Sequence, residues 1–102
     1  MEFLVEIQIN LPVDMPADKR DLLVGEEGRR ARELAELGHL VRLWRIPGRR
    51  ANVGLWQAED ATELHGALSS LPFFPWMDIH VRPLAAHPSD PAKRQSDPAK
   101  RS

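Results

Sequence analysis

The chain contains no cysteine, no long apolar run and no excess of basic charge. The first absence excludes disulfides, thiolate chemistry and cysteine-based metal sites, and fits a reducing compartment. The second leaves no transmembrane span. The opening "MEFLVEIQIN" is acidic and does not read as a signal peptide, so a cytoplasmic location is expected. The third, a net charge of −1, argues against nucleic-acid binding, which usually needs a basic surface. Glycine-rich phosphate loops and nucleophile elbows are missing too, and His65 and His80 have no metal-ligand neighbour at useful spacing.

What is present is a globular composition, 42% apolar and 28% charged, in 102 residues, enough for one domain with a modest core. The exception is the end. "SDPAKRQ" at 89–95 is followed by "SDPAKRS" at 96–102, a tandem heptad without aromatic or branched apolar residues. Such a segment buries too little to offset the entropy of ordering, so a domain over 1–88 and a disordered tail over 89–102 are expected.

Residues 2–11 alternate, with Phe3, Val5, Ile7, Ile9 and Leu11 on one parity, and predict a half-buried strand. A helical period runs from about 17 to 37 and stops at Gly38. Residues 39–46 are apolar on both parities, with Leu40, Trp44 and Ile46 against Val41 and Leu43, as in a strand covered on both faces. "PGRR" supplies a turn and 51–57 a further strand; 59–71 reads as a helix that Pro72 ends. Met77, Ile79 and Val81 mark a last strand. The order β-α-β-β-α-β predicts an α+β, ferredoxin-like sandwich: a four-stranded antiparallel sheet with two helices on one face. The other sheet face is left without cover, which predicts a homo-oligomer, most simply with two-fold sheet-to-sheet packing.

One charge on the first helix is out of place. With Leu23 as origin, Glu27 lies about 40° round the helix, inside the apolar stripe, while Glu26 lies about 60° to the other side. An inward carboxylate must be paired, hydrogen-bonded or protonated. It is either a structural ion pair or a base whose pKa burial has raised. "RLWRIPGRRAN" adds four arginines around a turn; Arg42 and Arg45 sit on an apolar strand and call for an anionic partner. "LPFFPWMDI" at 71–79 sets Phe73 and Phe74 between two prolines and Trp76 just after the second, as core packing, subunit contact or the wall of a pocket.

Four segments carry a resemblance: "LPVDM" at 11–15, "LWRIPG" at 43–48 followed by Ala51-Asn52, "LPFFPWMDI", and "HPS" at 87–89. Together, from residue 1 to about 90, they resemble the muconolactone Δ-isomerase family. The resemblance implies the same sandwich, assembled as decamers built from dimers, and a cofactor-free, metal-free shift of the ring double bond of (S)-muconolactone in the β-ketoadipate pathway of aromatic catabolism. It implies Glu27 as the base and Asn52 as a donor to the developing oxyanion. Arg45, Arg49 or Arg50 would hold the substrate carboxylate, with Trp44, Phe73, Phe74 and Trp76 around the ring. Arg49-Arg50 departs from the family pattern, where a tyrosine is usual at the second position. That leaves methyl- or chloro-substituted lactones as alternative substrates, the latter with loss of chloride. A cofactor-free oxygenase or small-ligand binder on the dimeric α/β-barrel version of the fold is the alternative from another class.

Overall fold

A computed structural model describes residues 1–92 of the chain. Its elements are β1 (Glu2–Ile9), α1 (Ala17–Glu36), β2 (Leu40–Arg45), β3 (Ala51–Gln57), α2 (Ala61–Ser69), a 3-10 turn at Phe74–Trp76, and β4 (Met77–Leu84). They follow the expected order. The four strands form one antiparallel sheet in the order β2-β3-β1-β4. The tandem heptad lies outside the described residues from 93 onward.

The core grows from the alternation in β1. Phe3, Val5 and Ile7 are buried on the helix-covered face, beside Trp56 of β3. Leu34 of α1 and Leu64, Ala67 and Leu68 of α2 close over them, so both helices lie on the same side of the sheet. Burying each large side chain contributes about 1.5–3 kcal/mol. Gly54 makes the packing of Trp56 possible: a Cβ at that position would stand 2.8 Å from the indole Nε1.

Local signals explain the helix ends. Asp60 caps α2 by accepting from the Glu63 N–H at 2.8 Å, and the Glu63 carboxylate reaches back to the Glu59 N–H at 3.0 Å. This reciprocal arrangement is worth about 1 kcal/mol. α1 stops at Gly38, whose φ of 87° lies in the left-handed region. Arg30 of α1 donates to the Ser70 hydroxyl at 3.0 Å, tying the first helix to the end of the second.

The strand over 39–46 differs from expectation in two ways. It is an edge strand, and residues 41–45 are exposed rather than covered. Its apolar side chains suit a cover that one chain by itself does not supply. Its parity also breaks, because a bulge between Leu40 and Arg42 shifts the register. Leu40 and Leu43 pair with Trp56 and Gly54 on the helix-covered side, whereas Trp44 pairs with Val53 and turns outward. The outer face of the sheet thus carries Leu4, Trp44, Val53, Leu55 and Leu84 among polar side chains.

Candidate active site

The strands and α1 diverge at the end of the sheet where β1 finishes and β3 begins. There the helix-covered side opens into a cavity of about 690 Å³. Ile9 and Leu11 form its apolar floor, and Val24 and Phe73 stand at its inner wall. Its polar lining is Arg45, Asn52, Arg50 and Arg20. The volume suits a small ring-shaped ligand with accompanying water.

Arg45 and Asn52 come together through strand register, being direct partners across β2 and β3 on the helix-covered side. The Asn52 side-chain oxygen is buried without a hydrogen-bond partner. Leaving such an acceptor unpaired costs about 1–3 kcal/mol, which makes Asn52 a candidate binding group. Turning the amide over presents its N–H₂ to the same space.

Glu27 stands behind this wall, half-buried. Its Oε1 accepts the Phe73 N–H at 3.0 Å, which ties α1 to the proline-flanked segment. Pro72 and Pro75 fix the irregular path that leaves that N–H free for a side chain instead of a backbone carbonyl. Among the described residues Glu27 has no ion-pair partner, so the structural ion pair foreseen as one alternative is not formed there. Burial pushes its carboxyl above the ordinary value of 4.5, and the Phe73 hydrogen bond opposes that rise without cancelling it.

The cavity gathers Arg45, Arg50, Asn52 and Phe73, and Glu27 adjoins it through Phe73. Other sequence candidates stand apart. Trp44 borders the cavity from β2, but its ring faces outward with the Arg42 guanidinium 4.8 Å from the centroid, so Arg42 meets a π-face and not an anion. Arg49 donates to Gln8 Oε1 at 3.2 Å, away from the cavity. Phe74 lines a second, apolar cavity of about 440 Å³ between α2 and β4, where His65 meets it edge-on at 6.1 Å. Trp76 packs under Lys19, whose Nζ lies 5.9 Å from the ring, and its carbonyl accepts the Asn10 N–H at 2.8 Å. Among the described residues there is no cluster of three or more His, Cys, Asp or Glu side chains able to hold a metal ion, and no helix long and apolar enough to cross a membrane.

Sequence reading missed Arg20 and Val24. The signal was there: Arg20 lies about 20° from Glu27 on the same helical stripe.

Comparison with known proteins places this arrangement in a family. The model of the family described as "Muconolactone delta-isomerase" matches residues 1–90. The muconolactone Δ-isomerase of Cupriavidus pinatubonensis is 44% identical over 89 residues, covering 87% of this chain and 97% of that protein. Muconolactone Δ-isomerase 2 of Acinetobacter lwoffii is 43% identical, with 87% and 93% covered. The crystal structure of a muconolactone isomerase superposes with a TM-score of 0.83 at 40% identity, covering 89% of this chain and 95% of the other.

Proposed function

The chain belongs to the muconolactone Δ-isomerase family, and on that footing we propose that it converts (S)-muconolactone to 3-oxoadipate enol-lactone, in the β-ketoadipate branch of catechol breakdown, by proton transfer through Glu27. The observation that carries the mechanism is Glu27 itself: a half-buried carboxylate without a cation, held by a backbone N–H at the cavity wall.

The chemistry needs few groups. A base takes the proton from the ring carbon bearing the acetate arm. The electron pair moves into the ring and onto the lactone carbonyl, giving a furanolate. The proton then returns to the carbon next to that carbonyl, and the double bond has moved one position. With Oε1 accepting from the Phe73 N–H, Glu27 keeps Oε2 to act as the base at the cavity wall. Both carbons lie on one ring edge, so one carboxyl can serve as base and then as acid. Its raised pKa makes the carboxylate a stronger base for proton removal from carbon, the harder of the two steps.

Asn52 donates to the carbonyl oxygen as charge develops, a contact that strengthens in the transition state. Arg45, beside it in register, and Arg50 supply the positive field for the acetate carboxylate. Phe73, which is buried, offers the ring an apolar wall.

The assembly proposed with this reading is a homo-oligomer, a decamer built from dimers. Its dimer contact joins the outer faces of two sheets through Leu4, Trp44, Val53 and Leu55. Light scattering on wild type and on Leu55→Glu tests it: the wild type is oligomeric and the variant falls apart. The activity is tested by giving the purified protein (S)-muconolactone without cofactor and following the enol-lactone by NMR. Enzyme-dependent conversion upholds the reading, and an unchanged lactone removes it.

A further inference from the structure

We propose that Arg20 is a substrate-recognition residue, an anion-binding side chain at the mouth of the cavity that captures the carboxylate of the incoming lactone. The inference rests on the cavity being the lactone site.

The argument begins with what surrounds Arg20 on α1. Side chains three and four positions away are its helical neighbours, and these are Pro16, Ala17, Leu23 and Val24. None is a carboxylate. Farther along the same helix two of the three arginines are partnered: Arg29 lies 3.1 Å from Glu33, and Arg30 lies 3.6 Å from Glu33 and donates to Ser70, while Arg32, away from the cavity, has no such partner among the described residues. Arg20 has no ion-pair or side-chain hydrogen-bond partner among the described residues, although Asp18 and Asp21 are close in sequence. Those two project from other faces of the helix.

Position supplies the second half. Arg20 and Val24 both line the cavity, and Glu27 continues their stripe at spacings of four and three residues. The stripe runs about 10 Å along the helix, with the cation at the open end and the carboxylate at the inner end. Arg20 lines the cavity from the helix side and is exposed to an approaching anion, with Arg50 lining the same space from the sheet side. A fork of guanidinium donors suits a carboxylate better than a point charge does. Capture there places the uncharged ring inward, toward Val24, Phe73 and Glu27.

The test uses a lactone that binds and cannot isomerise: the saturated ring carrying the acetate arm, and its uncharged acetamide counterpart. Calorimetry compares wild type, Arg20→Gln and Arg20→Lys at two salt concentrations. The expected result is about tenfold weaker binding of the acetate by Arg20→Gln, with a shallower salt dependence and partial recovery in Arg20→Lys. The acetamide is bound alike by all three. Equal affinity of wild type and Arg20→Gln for the acetate overturns the inference, as does no binding to wild type, or equal weakening toward acetate and acetamide. Turnover of (S)-muconolactone by the same preparations reads the isomerase separately, so the activity can stand while the role of Arg20 falls.

Discussion

The two ends of the helix-covered sheet face are built from the same elements and end up as different materials. At one end Phe3 and Trp56 are closed over by Leu34, which is 1% exposed. At the other, two to three turns earlier on the same helix, Val24 is 55% exposed and Glu27 faces inward without a cation among the described residues. The packed end holds apolar side chains against one another. Among the described residues the open end holds an Asn52 side-chain oxygen without a partner, a carboxyl whose pKa burial raises, and cavity-lining arginines without anions. A core would exclude every one of these groups. On the proposed reading the difference marks where stability has been given up for function, since a site that binds an anion and moves a proton needs such groups unsatisfied until substrate arrives.

Substitutions at the two ends should therefore separate stability from activity. The largest loss of stability is expected from Leu34→Ala at the packed end: about 3 kcal/mol in denaturant unfolding, with kcat of the remaining folded protein nearly unchanged. Asn52→Ala should do the reverse, lowering kcat about 100-fold or more while the melting temperature stays level or rises, since a buried amide without a partner is removed.

The pH dependence follows from Glu27. Its pKa is raised on folding, so its ionisation is less favourable in the native state than in the unfolded one. The resulting stability contribution is complete below 4.5 and is lost as pH rises through the native pKa. Activity has the opposite slope: kcat/KM should rise with pH along an acid limb lying above 4.5, because the base must be ionised. A pH–rate profile flat down to that value would contradict the assignment. The smallest effect on catalysis is expected from Phe74→Ala, which enlarges the second cavity and should leave kcat within about twofold. A hundredfold loss there would erase the distinction drawn between neighbouring Phe73 and Phe74.

Much of this was legible in the sequence, and what was not has physical causes. Element order followed from periodicity, and the inward placement of Glu27 from the helical step alone. Trp44 shares a parity with Leu40 in the sequence but stands on the opposite face, because strand parity presumes an unbroken ladder and the bulge after Leu40 flips every later side chain. The meeting of Arg45 and Asn52 depends on cross-strand register, which no single-strand pattern contains. In the segment over 72–76 no period exists, so nothing distinguished buried Phe73 from half-buried Phe74. Arg20 was overlooked for a simpler reason: arginine in the first turns of a helix usually faces water, and only the absence of carboxylates at its helical neighbours marks it.

The claim that joins these points is that Glu27 serves the reaction and not the fold. Glu27→Gln keeps the shape and the acceptor for the Phe73 N–H, and removes only the base. Turnover of (S)-muconolactone by this variant, with its unfolding followed at pH 7 on the same preparation, tests the claim directly. The account predicts kcat lower by about 10³-fold and stability equal to wild type or higher. Retained turnover, or a variant that loses its activity only because it has lost its fold, would contradict it.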